Sequence, residues 1–427
     1  MERYDSYKDS GVEWIGEIPS HWSKIKLSMT INTTQGIQVD VPKQRYVKEE
    51  GYERFLRISD YTNPNIEHRF VNVPNLINYM VNEDDIVMFR YGESGKVVKG
   101  LKGVICNNVF SISSKKHEMS NNYLFKVFSS NDFYELLKSS SNNPTLSQVS
   151  HSQIKEQKVP FPPLSEQQEI VSFLDTKTSL IDSLIEKTQR KIELLKEKRT
   201  SLINEVVTKG LNPNVEMKNS GVEWIGEIPS GWENGRLGYY SSVFRGSGYQ
   251  YLNQVDEDYE GGKERVVRIS DITEFNPMWC EYQKQFENYR IQPDNILIGG
   301  TGHYFGKSIY VTKEMEGLIH SYNIIRVVIK NQYPKYIQYW LSSFKIREQM
   351  DISVLGSGQP FIDIQGLKDL HILIPPLSEQ HQIVEYLDEQ TGLIDKTISI
   401  EEKRIELLKE YRQSLISEVV TGKRKVV

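Results

Sequence analysis

Two long stretches carry apolar residues at alternating spacings of four and three. The first runs Ile181, Ile185, Thr188, Ile192, Leu195, Arg199, Leu202 and Val206, and the second Ile394, Ile398, Glu401, Ile405, Leu408, Arg412, Leu415 and Val419. A 3.5-residue period is the seam of a coiled coil. Each stretch opens at a Pro-Pro-Leu-Ser-Glu-Gln block, at Pro162 and at Pro375. Ser165 with Gln168 has the form of a capping box, whereas His381 replaces that Gln in the second copy and leaves Ser378 as the expected N-cap. Gly210 and Gly422 fall just past the last periodic residues, where a C′ glycine belongs, and Asn212-Pro213 stops the first helix. Each helix of about 45 residues would be roughly 65 Å long. A narrow apolar stripe leaves such a helix marginal alone, so each needs a partner. The other copy suits that role, because polar residues interrupt both seams at equivalent places, Thr188 with Glu401 and Arg199 with Arg412. Two helices packed separately on their own domains are the alternative.

The stretches at roughly 23–155 and 233–368 alternate differently. Short β-like runs, Phe55–Ile58, Asp85–Phe89 and Val104–Cys106, are separated by Gly, Asn and Asp clusters. Matching runs occur at Val266–Ile269, Asn295–Ile298 and Ile324–Ile329. Both stretches then carry one aromatic helical segment, from Tyr123 and from Tyr336. They read as one mixed α/β fold with divergent surfaces. Each is preceded by the same words, SGVEWIGEIPS, at Ser10 and at Ser220, with Trp22 and Trp232 following. Four segments are expected: 1–160, 161–210, 211–373 and 374–427.

Composition changes this picture little. The chain has 427 residues, 38% hydrophobic and 26% charged, too long for one ordinary core. It contains no apolar run long enough to span a bilayer, and its charged N-terminus lacks a signal-peptide core. Two cysteines in different repeats fit a reducing cytoplasm and exclude a disulfide scaffold or a Cys-rich zinc site. The net charge of −5 is not that of a typical DNA binder, but local distribution decides nucleic-acid binding, and neither unlike stretch is strongly biased. Aromatics reach 11%, which suits a contact surface or a β-rich core equally.

Most candidate chemistry fails on spacing. Phe244-Arg-Gly-Ser-Gly248 has the form of an S-adenosylmethionine loop, but the Asp/Asn-Pro-Pro-aromatic motif of an amino-methyltransferase is missing; the two Pro-Pro pairs follow Phe161 and Ile374. Gly300 to Ser308 resembles a phosphate loop, yet Thr301 stands where the Walker pattern needs Gly. Gly92-Glu-Ser-Gly-Lys96 lies at the equivalent place. The duplicated G…GK is either a tight turn or a turn that sets Lys96 and Lys307 beside a phosphate. No metal-ligand His spacing and no G-x-S-x-G elbow is found. No catalytic residue and no metal site is expected.

The doubled GVEWIGEIPS-x-W, the doubled PPLSEQ-x-x-IV-x-x-LD and the doubled RKIELLKE/KRIELLKE with S-L-I-x-E-V-V-T together resemble the specificity (S) subunit of Type I restriction–modification systems. The resemblance covers nearly the whole chain. It implies two mixed α/β target-recognition domains, related by a pseudo-twofold repeat and separated by two long helices in an antiparallel coiled coil. It implies a cytoplasmic, non-catalytic subunit that reads a bipartite double-stranded DNA site, one half per domain. It implies two methyltransferase subunits and restriction subunits as partners; S-adenosylmethionine, ATP and Mg would belong to them, with no cofactor in this chain. A single-chain adenine methyltransferase and a coiled-coil protein scaffold are the competing readings.

Within that frame, matched residues would position the DNA and unmatched ones would read it. Arg57 and Arg268, in L-R-I-S-D and V-R-I-S-D, either touch phosphate or pair with Asp60 and Asp271. Arg90, Tyr91, Arg245, Tyr249, Tyr251 and His303 are unmatched donors and aromatics in glycine-flanked loops, where base-edge contact is easy. Trp14, Ile15, Trp224 and Ile225, identical in both copies, either anchor one methyltransferase subunit per half or pack onto the helix ends.

Overall fold

A computed structural model describes residues 3–115, 117–139, 148–248, 252–272, 275–352 and 364–426. The chain divides into two compact units, residues 1–189 with 403–427, and residues 190–402. Each long helix therefore contributes its first part to one unit and its last part to the other.

In the first unit, strands Ile31–Gln35, Val109–Ser114, Ile86–Phe89 and Val97–Val98 form an antiparallel sheet in that order. The alternation of Phe110 and Ile112, both buried, with half-buried Ser111 and Ser113 is the period-2 pattern of a strand with one face in a core. A second described sheet has the order Phe70–Val71, Glu53–Leu56, Gly103–Ile105, Met80–Val81, with its central pair parallel. Strand Ser23–Lys26 pairs with Lys158–Phe161, the strand that runs into the first long helix. Helices Asn121–Phe128 and Asn131–Ser139 cover the core, burying Tyr123, Leu124, Val127, Phe133 and Leu137.

The second unit repeats this plan. Strands Ser241–Arg245, Ile324–Ile329, Asn295–Gly299 and Ser308–Tyr310 form the antiparallel sheet. Met278–Glu281, Lys263–Val267 and Ile319–His320 form the other, again with a parallel pair, Lys263–Val267 on Ile319–His320. Glu233–Arg236 pairs with His371–Ile374. Helix Pro334–Leu341 buries Tyr336, Ile337 and Trp340.

The long helices run Leu164–Lys209 and Leu377–Val420. Both start before the expected serine caps. Gln167 N–H donates to the Pro163 carbonyl and Gln380 N–H to that of Pro376, which puts Ser165 and Ser378 inside the first turn. The prolines set the start because they supply fixed φ and need no donor themselves. Gly210 and Gly422, at φ 74° and 75°, are the left-handed C-terminal residues expected.

The helices pair antiparallel within each unit. In the second, Lys191 meets Glu401 at 2.5 Å and Arg199 meets Asp395 at 2.9 Å, so rising numbers on one helix face falling numbers on the other. In the first, Ile170, Leu174 and Ile181 share a core with Leu415, Ile416, Val419 and Val420, and Arg412 bridges both oxygens of Asp182 at 2.9 and 3.2 Å. The seam residues Ile181, Ile192, Ile394, Ile398 and Leu415 are buried and Ile185, Leu195, Leu202, Ile405 and Leu408 half-buried. Arg199 and Arg412, which only interrupt the apolar pattern in the sequence, are matched ion-pair residues, each joined to an Asp at the same place in the other copy. Thr188 satisfies its buried hydroxyl on the Leu184 carbonyl.

Candidate nucleic-acid interface

The duplicated blocks meet at the helix ends. Trp22 is buried and donates its indole N–H to Glu166 Oε2 at 2.9 Å; Trp232 does the same to Glu379 Oε2 at 3.0 Å. These are the Trp after SGVEWIGEIPS and the Glu of PPLSEQ. The adjoining Gln167 and Gln380 are fully buried. Gln167 accepts from Ser120 N–H and donates to the Glu118 and Pro162 carbonyls, while Gln380 accepts from Tyr333 N–H and donates to Pro375. Tyr123 Oη then reaches the Val420 carbonyl at 3.1 Å, and Tyr336 Oη the Val207 carbonyl at 3.5 Å, satisfying backbone left unpaired where a helix ends. A Cβ on Gly422 would strike Pro19 and Trp22, and one on Gly210 would strike Glu379 and Trp232. The blocks thus tie the start of one long helix to the end of the other.

Ile15 is fully buried and Ile225 nearly so. Half-buried Trp14 donates to the Lys158 carbonyl at 3.2 Å and packs edge-on against Phe133, and Trp224 packs against His371. Ile15 and Ile225 thus pack inside their own units, while Trp14 and Trp224 keep part of their surface open.

Several of the exposed large apolar residues lie on the long helices, outside the seam. Leu180 and Leu184, with Leu407 and Tyr411, do so in the first unit; Leu194, with Tyr386, Leu393 and Ile400, do so in the second. Each is 37–59% exposed. Tyr386, Leu393, Ile400 and Leu407 recur every seven residues outside the seam, a signal present in the sequence but hidden by the stronger seam period.

The Arg of L-R-I-S-D and V-R-I-S-D is held from within. Arg57 Nε donates to Asp60 Oδ2 at 2.8 Å and Nη2 to the Glu67 carbonyl at 2.9 Å. Arg268 Nη2 donates to Asp271 Oδ1 at 3.2 Å and to the Asn276 carbonyl at 2.9 Å. Asp60 and Asp271 are buried, and each also accepts from the backbone N–H of its Arg. Both Arg lie one residue beyond a strand, not within it as the run lengths suggested. Of the two readings, the geometry supplies the Asp clamp.

The duplicated G…GK is a matched turn. Gly95 N–H bonds the Phe89 carbonyl and Gly306 N–H that of Gly299. Phe89 N–H bonds Lys96, and Gly299 N–H bonds Lys307, in the same way. Lys96 pairs with Glu93, and Lys307 lies over the Tyr304 ring at 5.1 Å. His303 is exposed beside the same tyrosine.

Where the sheets meet, both units hold a two-residue turn in one backbone frame. In the first unit the bonds are Gly36 N–H to Val109, Ile37 to Ile105, Cys106 to Leu56, Val109 to Cys106 and Arg90 to Asn108. In the second they are Gly246 to Ile324, Ser247 to His320, Ser321 to Val267, Ile324 to Ser321 and Gly300 to Asn323. Gly36 and Gly246 are required because a Cβ would run into carbonyl oxygens, of Cys106 and Ile105 in one unit and of Ser321 and His320 in the other. Gly246 of Phe244-Arg-Gly-Ser-Gly248 therefore serves a chain crossing.

The side chains on that frame differ. In the first unit Gln35 donates to the Asn107 and Val109 carbonyls, at 2.6 and 3.3 Å, and its Oε1 accepts from Arg90 at 3.2 Å and His151 at 2.9 Å. His151 Nε2 thus carries the proton while Nδ1 accepts from Thr33 Oγ1. Burial lowers the pKa of this neutral imidazole. Arg90 also lies over exposed Tyr91. In the second unit Arg245 replaces Gln35 and lies 5.0 Å over the exposed Tyr322 ring. Tyr249 and Tyr251 fall outside the described residues. Beside the first turn an open groove of about 470 Å³ is lined by Gln38, Arg57, Ser59, Thr62, Asn107 and Asn108, among others. No group of His, Cys, Asp and Glu able to hold a metal occurs among the described residues, and no described helix is long and apolar enough to cross a membrane.

The comparisons with known proteins agree with this plan. The family model described as the Type I restriction modification DNA specificity domain matches twice, over residues 39–194 and 229–410. The MjaVIII specificity subunit of Methanocaldococcus jannaschii is 24% identical over 422 residues, covering 96% of this chain and 94% of its own. The EcoBI specificity subunit of Escherichia coli is 20% identical, covering 97% of this chain and 88% of its own. A chain from a structure concerned with assembly and conformational transition of the type I R-M system superposes with a TM-score of 0.72 at 16% identity, over 94% of this chain and 98% of that one. The HsdS subunit of Thermoanaerobacter tengcongensis gives 0.52 at 17% identity, over 95% and 98%. With two matched domains spanning most of its length and a shared whole-chain fold, this chain belongs to the family of type I restriction–modification DNA specificity proteins.

Proposed function

We propose that this chain is the DNA-recognition subunit of a type I restriction–modification complex, each unit reading one half of a bipartite duplex site. The observation that carries the reading is the repeated backbone frame with unlike side chains on it. A frame kept twice suits docking on a uniform duplex, and divergent side chains suit two different half-sites. The paired helices are the spacer, so their length sets the distance between half-sites, and helical pitch makes that distance part of the specificity. The chain itself is non-catalytic. S-adenosylmethionine, ATP and Mg belong to partner subunits, and the assembly works in the cytoplasm. A single-chain methyltransferase gains no support from the Gly246 loop, which is filled by its own backbone crossing.

The apolar outer faces of the helices are the docking sites for two methyltransferase subunits, one on each unit, and restriction subunits join through them. Exposed leucines at helical spacing are what a partner helix covers. Replacing Leu180 and Leu184 with Glu is expected to remove one methyltransferase copy, and replacing Leu393 and Ile400 the other, each seen as the loss of one subunit mass from the intact complex. Retention of both copies by both variants would return the docking site to another surface.

The functional reading is tested by exchanging residues 233–368 for the equivalent stretch of another specificity protein, co-expressing methyltransferase, and sequencing the methylated genome. One half of the motif is expected to change and the other to persist. A motif that changes in both halves, or in neither, refutes one half-site per unit.

A further inference from the structure

Resting on that reading, we infer that the two-residue turn braced by the repeated frame is the base-reading tip of each unit, and that in the first unit Asn107 with Gln38 reads an adenine in the major groove. The placement comes from the comparison of the two units. Five backbone hydrogen bonds recur with the same geometry around Asn107–Asn108 and around Tyr322–Asn323. The glycines behind both turns tolerate no side chain. A turn held this firmly presents its tip side chains at fixed positions, as direct readout requires. Asn108 and Asn323 match, but around them the copies part. Asn107 corresponds to Tyr322, Gln38 to Gly248, Gln35 to Arg245 and Arg90 to Gly300.

The chemistry of the first tip is amide chemistry. Gln38 and Asn108 are exposed and Asn107 half-buried, and all three line the open groove beside the turn. Asn107 Nδ2 donates a long hydrogen bond to Gln38 Oε1 at 3.4 Å, so the two amides sit side by side at the groove edge. A side-chain amide sets an NH2 donor beside a carbonyl acceptor, the arrangement that matches adenine N7 and N6. Gln35, by contrast, spends both ends of its amide inside the unit, on Asn107, Val109, Arg90 and His151. It is a positioning residue that fixes the turn from below. Arg57, on the groove wall, is fixed by Asp60 and the Glu67 carbonyl and presents no free fork to a base. In the second unit Tyr322, with Arg245 over its ring at 5.0 Å, offers a ring face and a hydroxyl in place of the Asn107 amide, so the second half-site is read by other contacts.

The test uses the full chain co-expressed with its methyltransferase, with the methylated motif read by genome sequencing. The double variant Q38A/N107A is expected to keep methylating but to lose discrimination at one adenine position of one half-site, by about tenfold to hundredfold. N107D, which keeps the side-chain shape but removes the donor, is expected to relax the same position. Y322A is expected to alter a position in the opposite half-site. The unaltered half of the motif in each variant reports that the chain is folded and assembled. An unchanged motif, relaxation at a G·C position, or loss of methylation at every site in both Asn107 variants would overturn the assignment. A wild-type complex that yields no bipartite motif would instead refute the functional reading on which it stands.

Discussion

Individual side chains decide how the helix ends are built. The Glu and Gln of PPLSEQ look interchangeable with any polar helix start in the sequence, but Gln167 is fully buried and serves Ser120 N–H and two carbonyls. Replacing it with Ala leaves those backbone groups unpaired in a dry site, at about 1–3 kcal/mol for each group stranded. Q167A is therefore expected to lower the urea midpoint of the first unit clearly, whereas Q168A, on the outer side of the same turn, is expected to leave it nearly unchanged. His320 is a second case. It is fully buried, and burial together with nearby Arg326 pushes its pKa down to about 3. The unfolded chain binds that proton near the ordinary value of about 6.5, so more protons are bound unfolded than folded between the two values. Its contribution to stability is complete above pH 6.5 and is lost as the pH falls toward 3, with a slope approaching ~1.4 kcal/mol per pH unit. H320L is expected to flatten acid unfolding of the second unit over that range, measured by urea midpoints at stepped pH; an unchanged slope would assign the acid sensitivity elsewhere.

At the scale of elements, the long helices pair along the seam, and two matched ion pairs, Asp182 with Arg412 and Asp395 with Arg199, join them across it. These pairs are partly exposed, so each is worth only about 0.2–1 kcal/mol. Their use is in alignment, since a slip of one heptad would separate both. Arg412→Asp is expected to destabilise the first unit by less than about 1.5 kcal/mol through like-charge contact with Asp182, and Asp182→Arg in the same chain to restore most of the loss. A double-mutant cycle on thermal unfolding measures the coupling, and zero coupling would show that the seam alone sets the register. The short elements behave otherwise. Ile324–Ile329 matches its apolar run residue for residue, but Arg57 and Arg268 fall beyond their strands because the buried Asp three residues on captures both the backbone N–H and the guanidinium. Local capture of that kind leaves no periodic trace.

For the molecule as a whole, the proposed spacer role makes a prediction about length. Deleting one heptad from each long helix keeps the seam in phase and shortens the pair by about 10 Å, near three base-pair steps of duplex. Methylation of the native motif is expected to disappear while the methyltransferase complex still forms, and sites with a shorter gap between half-sites are the ones expected to be modified. An unchanged motif would remove the helices as the ruler.

Read alone, the chain's doubled blocks and heptads were enough to establish two α/β units, two long paired helices and the family, because periodicity and repetition are properties of sequence order. The assignment of roles at single positions was not available there. Whether Trp14 faces a partner or its own core, whether Arg57 meets phosphate or Asp60, and whether Gly246 cradles a ligand or lets two strands cross all depend on which distant backbone arrives alongside. Identical residues in both copies proved to be joints because buried hydrogen bonds demand fixed partners, and the tip that distinguishes the two units emerged only when the shared frame around it could be seen in space.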